Sequence, residues 1–348
     1  MPAWHRESMD VGLVDTGDER ALVAWHAVLQ TVERETWPDR TGFSLRDVRA
    51  YAGHVGTARR FVHFAARESM GNIVGVAVME CPMLDNRHAA EVTLAVHPAH
   101  RRRGAGSALV EEMARYACAD GRNVLNSLVD VPVAVGDTHP STPFARRVGF
   151  DATLPGNSRY LFVPLESAKV EALQRVVATA PGADLYRTFT FGAPWPDEYV
   201  DDQCELNRRM STDEPAGDDE HQEEVWDARR IAEDSELLRA RGAWKLAAVS
   251  QHVATGRLVA FSELLFADDA PAESWQMATL VHPQHRGHRL GLAVKLANVE
   301  ALAEAAPLVR RIVTGNARVN APMIAVNDVM GFEVAGSGYF WQKRLPPS

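Results

Sequence analysis

Val96-His97-Pro98-Ala99-His100-Arg101 returns later in the chain as Val281-His282-Pro283-Gln284-His285-Arg286, with five of six residues identical at an offset of 185. The same offset carries Gly71 onto Gly256 and Gly106 onto Gly291. A closing Gly149-Phe150 returns as Gly331-Phe332 at an offset of 182. Ordered landmarks at nearly one spacing point to a duplicated unit. The chain's 348 residues suit two domains of about 150 to 180 residues each.

Each copy carries the same coarse pattern. In the first, Arg59–Ala66, Ile73–Cys81 and Glu91–Val96 are rich in Val, Phe and Ile and are expected as strands, with a Gly71-Asn72 turn between the first two. A helix is expected from Arg103 to Ala119, with Leu109, Val110, Met113 and Tyr116 at helical spacing and Gly121 as its stop. Asn123–Val129 follows as a strand. In the second copy Trp244–His252, Leu258–Phe266, Trp275–Val281 and Arg310–Thr314 are expected as strands and Leu290–Glu304 as the helix. Lys169–Ala178 looks like a short helix before a Pro181-Gly182 break. The acidic stretch Thr212–Glu224 is expected as a solvated loop between two helices.

Composition narrows the partners. The formal net charge of −9 argues against nucleic acid, which favours a basic face. Cys81, Cys118 and Cys204 form no C-x-x-C pair and are odd in number, so neither a disulfide framework nor a zinc site is expected, and a reducing cytoplasm is the simpler setting. Cys118 is expected as a packed small hydrophobe. Met1–Asp10 has no apolar signal core, and no apolar run is long enough to span a membrane.

The chemistry sits between the Val96 strand and the Leu109 helix. Arg101-Arg102-Arg103-Gly104-Ala105-Gly106 opens that helix. A helix start presents free N–H groups and the positive end of its dipole, so it binds phosphate. Glycines let backbone approach the anion, and arginines add charge-assisted hydrogen bonds. Neither G-x-G-x-x-G nor G-x-x-x-x-G-K-[ST] occurs there, so this is neither a dinucleotide fingerprint nor an ATP-binding P-loop. The pattern predicts a pyrophosphate site.

Strand, Val96-His97-Pro98, Arg101-Arg102-Arg103-Gly104-Ala105-Gly106, helix: this resembles the acetyl-CoA motif Q/R-x-x-G-x-G/A of the GNAT N-acetyltransferase family. Both halves resemble members, as in the mycothiol synthase-like tandem acetyltransferases. The resemblance implies an α/β (α+β) fold of two tandem GNAT domains, each a mixed, mostly antiparallel central sheet splayed between its fourth and fifth strands and flanked by helices. It divides the chain into 1–168, an N-terminal domain with an intact motif, a linker over 169–182, and 183–348, a C-terminal domain with a partly degenerate motif. It implies acetyl-CoA as co-substrate and no metal. Backbone groups of Leu94 and Val96 would meet the acetyl and pantetheine arm, and Arg101, Arg102, Arg103, Gly104, Ala105, Gly106 and Ser107 the pyrophosphate. Val281, Arg286, Gly291 and Asn320 are the second-half counterparts.

Each half departs from that pattern differently. The first motif glycine of the second half is Arg289, which puts a side chain where close backbone approach is expected. The family's acidic tyrosine, four residues before the closing Gly-Phe, is Ala145 in the first half and Asn327 in the second. The family's asparagine seven residues earlier is Thr138 in the first half and Asn320 in the second. Asn327 can still donate a hydrogen bond. The first half is therefore favoured as the cofactor site. Candidate bases are Glu91, Glu80 and Glu263, the last two on one sheet face because two residues make one pleat. Tyr116 and Tyr160 are expected in core or edge positions. The recurring His97/His282 and His100/His285 lie in separate halves and are expected as loop residues.

The resemblance thus implies transfer of acetyl from acetyl-CoA to the amine of a small molecule by direct attack. Two other readings stay open at this level: a non-catalytic CoA-binding or scaffold protein, and an acetyltransferase acting on protein lysines or N-termini. The acceptor and the oligomeric state are not encoded in any motif.

Overall fold

The computed structural model describes residues 9–213, 215 and 221–346. In chain order its first elements are β1 (Asp10–Leu13), α1 (Glu19–Thr36), α2 (Leu45–Ala52), β2 (Arg59–Arg67), β3 (Ile73–Pro82), β4 (Ala89–Val96), α3 (Ala105–Ala119), β5 (Val124–Pro132), α4 (Ser141–Arg147) and β6 (Asp151–Phe162). Then come α5 (Ser167–Ala178), β7 (Tyr186–Gly192), α6 (Val200–Asp213), α7 (Ala228–Ala240), β8 (Ala243–His252), β9 (Leu258–Ala267), β10 (Glu273–Val281), α8 (Leu290–Ala305), β11 (Arg311–Ala317), α9 (Ala321–Met330) and β12 (Glu333–Arg344). The centre of the expected acidic loop, residues 214 and 216–220, lies outside the described residues, as do Met1–Ser8. Among the described residues no helix is long and apolar enough to cross a membrane.

The chain forms two compact units. The first runs to Leu154 and takes back the stretch from Gly338, and the second is Pro155–Ser337. The division thus differs from a linear one with a linker at 169–182. Most of that segment lies in α5, a helix of the second unit that buries Leu173. The closing strands explain the difference. From Pro155 onward β6 belongs to the second unit, where Gly156–Phe162 pairs antiparallel with β11 from Ala317 to Arg311. The tail of β12 completes the first unit: Leu345 N donates to Asn123 O at 2.7 Å, Lys343 Nζ donates to Val148 O at 2.6 Å, and Trp341 is only 1% exposed.

In the first unit the strand order is β1-β2-β3-β4-β5-β12. All pairings from β1 to β4 are antiparallel, and β4 with β5 is parallel. Alternation along the strands gives the sheet two apolar faces. One packs Phe64, Met79 and Val92 against Leu109, Val110 and Met113 of α3, and the other packs Ala65, Val76 and Ala95 against Leu22, Trp25 and Val28 of α1. Each large side chain buried this way contributes about 1.5–3 kcal/mol. The helices start where the sequence caps them: Asp18 accepts from Arg20 N, and Ser44 and Asp47 form a capping box.

The second unit repeats the plan as β6-β11-β10-β9-β8-β7. Here α8 covers one face with Leu292, Val294 and Leu296, while α6 covers the other through Leu206.

Candidate active site

In the first unit β4 and β5 pair at only three positions, Ala89↔Val124, Ala90↔Leu125 and Glu91↔Asn126. Beyond them β4 runs on to Val96 and β5 to Pro132 without pairing, so the sheet opens into a gap that leads to the loop before α3. β3 meanwhile stays paired with β4 throughout, Ala77 opposite Leu94 and Gly75 opposite Val96. One edge of β4 is thus left for a ligand along Val92–Val96.

The loop at the mouth of this gap has a defined shape. His97 Nδ1 accepts from Ala99 N at 3.3 Å. Arg101 Nε donates to Val96 O at 3.1 Å, and its guanidinium is ion-paired with Glu35 of α1. Arg101 therefore straps the loop to α1. Arg102 (φ 65°) and Gly104 (φ 100°) are both left-handed, a turn that points successive N–H groups the same way and makes an anion cradle at the helix start. Arg102 and Arg103 are exposed and form no ion pair among the described residues. A Cβ at Gly104 would meet nothing within 4 Å. Open space, unspent guanidinium groups and free helix-start amides fit a pyrophosphate. Gly106 serves packing instead. A Cβ there would lie 3.0 Å from the Phe144 ring, so the glycine lets α4 close onto α3.

The α1 face of the gap carries carboxyl groups together with arginines that pair with two of them. Glu80 and Glu91 stand directly opposite one another on β3 and β4. Arg59 pairs with Glu80 at 3.2 Å, and Asn126 Nδ2 donates to Glu91 at 2.9 Å. Farther along β5, Asp130 holds Arg40 at 2.7 Å, and that guanidinium lies 3.2 Å over the Trp37 ring. On α1 itself burial pushes the Glu33 carboxyl up to about 7.

The second unit has the same skeleton. β10 and β11 pair from Glu273↔Arg311 to Trp275↔Val313, then separate. β10 also bulges between Gln276 and Thr279, which the first unit's β4 does not. Arg286 Nε donates to Val281 O at 3.2 Å and its guanidinium pairs with Asp213 at 2.7 Å, reproducing the Arg101 strap. The left-handed pair is now Gly287 (φ 87°) and Arg289 (φ 55°). Glycine has moved from the second left-handed position to the first, and the backbone path is kept despite Arg289. A Cβ at Gly291 would face Val281 and Val326 at no less than 3.6 Å.

The two interiors differ far more than the two loops. Behind the second gap, between α8, α9 and the sheet, lie Ser262, Gln276, Thr279, Lys295, Asn298, Asn316 and Asn327, all buried. Lys295 Nζ donates to Asn327 Oδ1 at 2.8 Å, and Asn327 Nδ2 donates to Asn316 Oδ1 at 3.3 Å. Gln276 Nε2 donates to Ser262 Oγ at 2.9 Å and to Glu263 O at 2.8 Å, holding the bulge. Asn298 Nδ2 donates to Ser262 O at 2.9 Å. By register and repeat offset the first-unit counterparts are Ala77, Val92, Leu94, Val110, Met113, Val129 and Ala145, every one apolar and part of one core cluster.

Other residues that the sequence singles out make the following contacts. Glu263 is 5% exposed, with Lys245 at 2.8 Å and Trp195 Nε1 at 3.0 Å on its two oxygens. Asn320 caps α9, accepting from Met323 N at 3.3 Å. His282 and His285 sit in the loop beside Tyr186, whose hydroxyl is 3.0 Å from His285 Nδ1. Tyr160 is buried, Tyr116 packs edge-on to Phe64, and Cys118 joins the core's rim. No group of three or more His, Cys, Asp or Glu among the described residues is arranged to hold a metal. Lys295 belongs to this buried polar cluster, and no motif marks it. Its one signal in the sequence is a lysine and an asparagine three residues apart inside Leu290–Val299, a stretch of helix otherwise apolar all round and so expected to be buried.

Residues 22–150 match the model of the acetyltransferase (GNAT) family. Over 98% of this chain and 100% of the other, the fold is similar to that of a tandem GNAT protein from the clavulanic acid biosynthesis pathway, with a TM-score of 0.77 and 26% identity. The chain has the fold of a tandem GNAT N-acetyltransferase, with the family's own model matched in its first half. A GCN5-related N-acetyltransferase from Sphaerobacter thermophilus is similar over 99% of this chain and 98% of its own, with TM-score 0.63 and 13% identity. An N-myristoyltransferase from Saccharomyces cerevisiae with bound myristoyl-CoA is similar over 100% and 80%, with TM-score 0.57 and 12% identity. These last two likenesses show the fold alone. No curated protein sequence matches the chain. The GNAT fold uses an acyl-CoA donor, which is the chemistry that the gap and phosphate cradle of this tandem GNAT protein fit.

Proposed function

We propose that this tandem GNAT protein transfers acetyl from acetyl-CoA to the amine of a small molecule, with the donor held in the first unit. The observation that carries this reading is the cradle at Arg102–Gly106, two left-handed residues and two arginines without an ion pair among the described residues, at the mouth of the gap between β4 and β5. Arg102, Arg103 and the amides at the start of α3 hold the pyrophosphate, and the free edge of Val92–Val96 aligns the pantetheine arm, with Leu94 and Val96 at its centre. Bound there, acetyl-CoA supplies the activated acyl group. Orientation in the gap supplies much of the rate.

The acceptor approaches from the α1 face. Glu91, oriented by Asn126, takes the proton that the attacking nitrogen loses. A small acceptor is supported by the similar tandem GNAT protein, which comes from a small-molecule biosynthetic pathway. The test incubates the protein with acetyl-CoA and a mixture of primary-amine metabolites, following free CoA thiol and small-molecule mass. Thiol release with one acetylated small amine supports the reading. Acetyl found only on protein lysines or N-termini, or no thiol release, refutes it.

A further inference from the structure

We infer that the second unit is a separate acyl-transfer centre in which Lys295 protonates the sulfur of an acyl-CoA thioester as the acyl group leaves. Both halves lack the tyrosine that the family resemblance expects as this acid. In the first unit the position is Ala145, surrounded by apolar side chains. In the second it is Asn327, fully buried and hydrogen-bonded at 2.8 Å by the ammonium of Lys295.

The setting of Lys295 is costly unless it is used. The residue is 1% exposed, its only hydrogen bond among the described residues is to Asn327, and its Nζ lies 5.0 Å over the Phe332 ring. No carboxylate among the described residues pairs with it. Arg159 and Asp328, from β6 and α9, are paired with each other, and the groups facing Lys295 from α9 and β11 are the neutral carboxamides Asn327 and Asn316. An ammonium with two spare N–H donors in such a place is strongly disfavoured. Burial alone brings it down to about 7, where it can give up a proton at working pH. A second buried polar atom also lacks a partner: Asn298 Oδ1, on the same face of α8. An excess of donors and an orphan acceptor behind the gap suit a ligand carrying both an anionic sulfur and amide N–H groups.

In this centre Lys295 gives its proton to sulfur as the C–S bond breaks. The acceptor nitrogen takes the acyl carbon and loses one proton to water, and Lys295 recovers a proton from water. The inference shares the donor chemistry of the proposed function but not its site.

The test is calorimetric, on the full chain carrying Arg102→Glu and Arg103→Glu so that the first-unit phosphate contacts are removed, with CoA and desulfo-CoA as probes. CoA should bind about tenfold more tightly than desulfo-CoA, the worth of one charge-assisted hydrogen bond. Adding Lys295→Met, or Lys295→Gln if the first does not fold, should bring that ratio to about one and leave desulfo-CoA affinity unchanged. A merely structural lysine would not move the ratio. An unchanged ratio, or no CoA binding in this background, overturns the inference. The same titrations with Arg102 and Arg103 intact add the first unit's site, so the difference between the two backgrounds reads that site and a failure of the proposed function is seen separately.

Discussion

The two units share a backbone and differ in what fills it. Both open the sheet after three parallel pairs, both strap the loop with an arginine, and both start the helix through two left-handed residues. Yet seven interior positions that are apolar in the first unit are polar in the second. Duplication fixes where the chain goes, and the interior is then free to diverge, provided each buried polar group finds a partner. The first unit has kept a dry wall behind its phosphate cradle. The second has a polar wall, a held bulge and a lysine that pairs with no carboxylate among the described residues.

Exchanging one position between the units has the largest expected effect. Val110→Lys puts into the first unit the residue that the second tolerates at 295, but without Asn327 to receive it. It should cost about 3–5 kcal/mol in urea denaturation, the range for an unpaired buried charge. A loss under about 1 kcal/mol, the scale of an ordinary surface change, would mean that the first interior is not dry.

Lys295 gives the converse effect. Its proton affinity is lowered in the folded state and ordinary in the unfolded one, so the unfolded chain holds more protons between about pH 7 and 10. Stability should therefore rise with pH across that window. Lys295→Met should remove the rise and melt higher than the native chain at about pH 6, below both values. A melting temperature that tracks the native one at every pH would contradict this.

Next in size is the pair of motif glycines. Gly106→Ala sets a methyl group 3.0 Å from Phe144 and should destabilise by about 1–3 kcal/mol, as overpacking does. Gly291→Ala meets only ordinary contacts and should be neutral or stabilising by up to about 1 kcal/mol. Equal effects in thermal melts would mean that the two helix starts are packed alike.

A separate, pH-dependent effect belongs to Glu33. Its raised proton affinity means the folded chain holds more protons than the unfolded one between about pH 4.5 and 7, so this group makes stability fall as pH rises through that range. Glu33→Gln should flatten the fall, measured as melting temperature against pH. A slope unchanged by the substitution would place the titration elsewhere.

Much of the fold was legible in the sequence because the repeat supplied its own alignment. The strands around Phe64, Val76, Val249 and Phe261 and the helices at Leu109 and Leu296 fall where apolar periodicity put them. The exchange of closing strands was not legible. β6 and β12 are adjacent in pattern to the halves they leave, and only long-range pairing, such as Leu161 with Ile312, shows which unit each completes. In the candidate site, the phosphate loop was visible because positive charge and glycine at a helix start have one physical meaning. Asn320 and Glu263 were not separable from catalytic groups by type, since a cap and an ion pair depend on Met323 N and Lys245, which sequence does not place. Lys295 was masked by the rule that a lone lysine in a helix is solvated.

The proposed donor site is the intact cradle of the first unit. The most direct measurement is calorimetric titration of acetyl-CoA into the native chain and into Arg102→Glu/Arg103→Glu, a change that reverses charge without touching Gly106 or Phe144. Loss of one full equivalent of binding, with melting temperature unchanged, is the expected result. Native stoichiometry and affinity in the variant would contradict it and move the donor site to Arg286–Gly291.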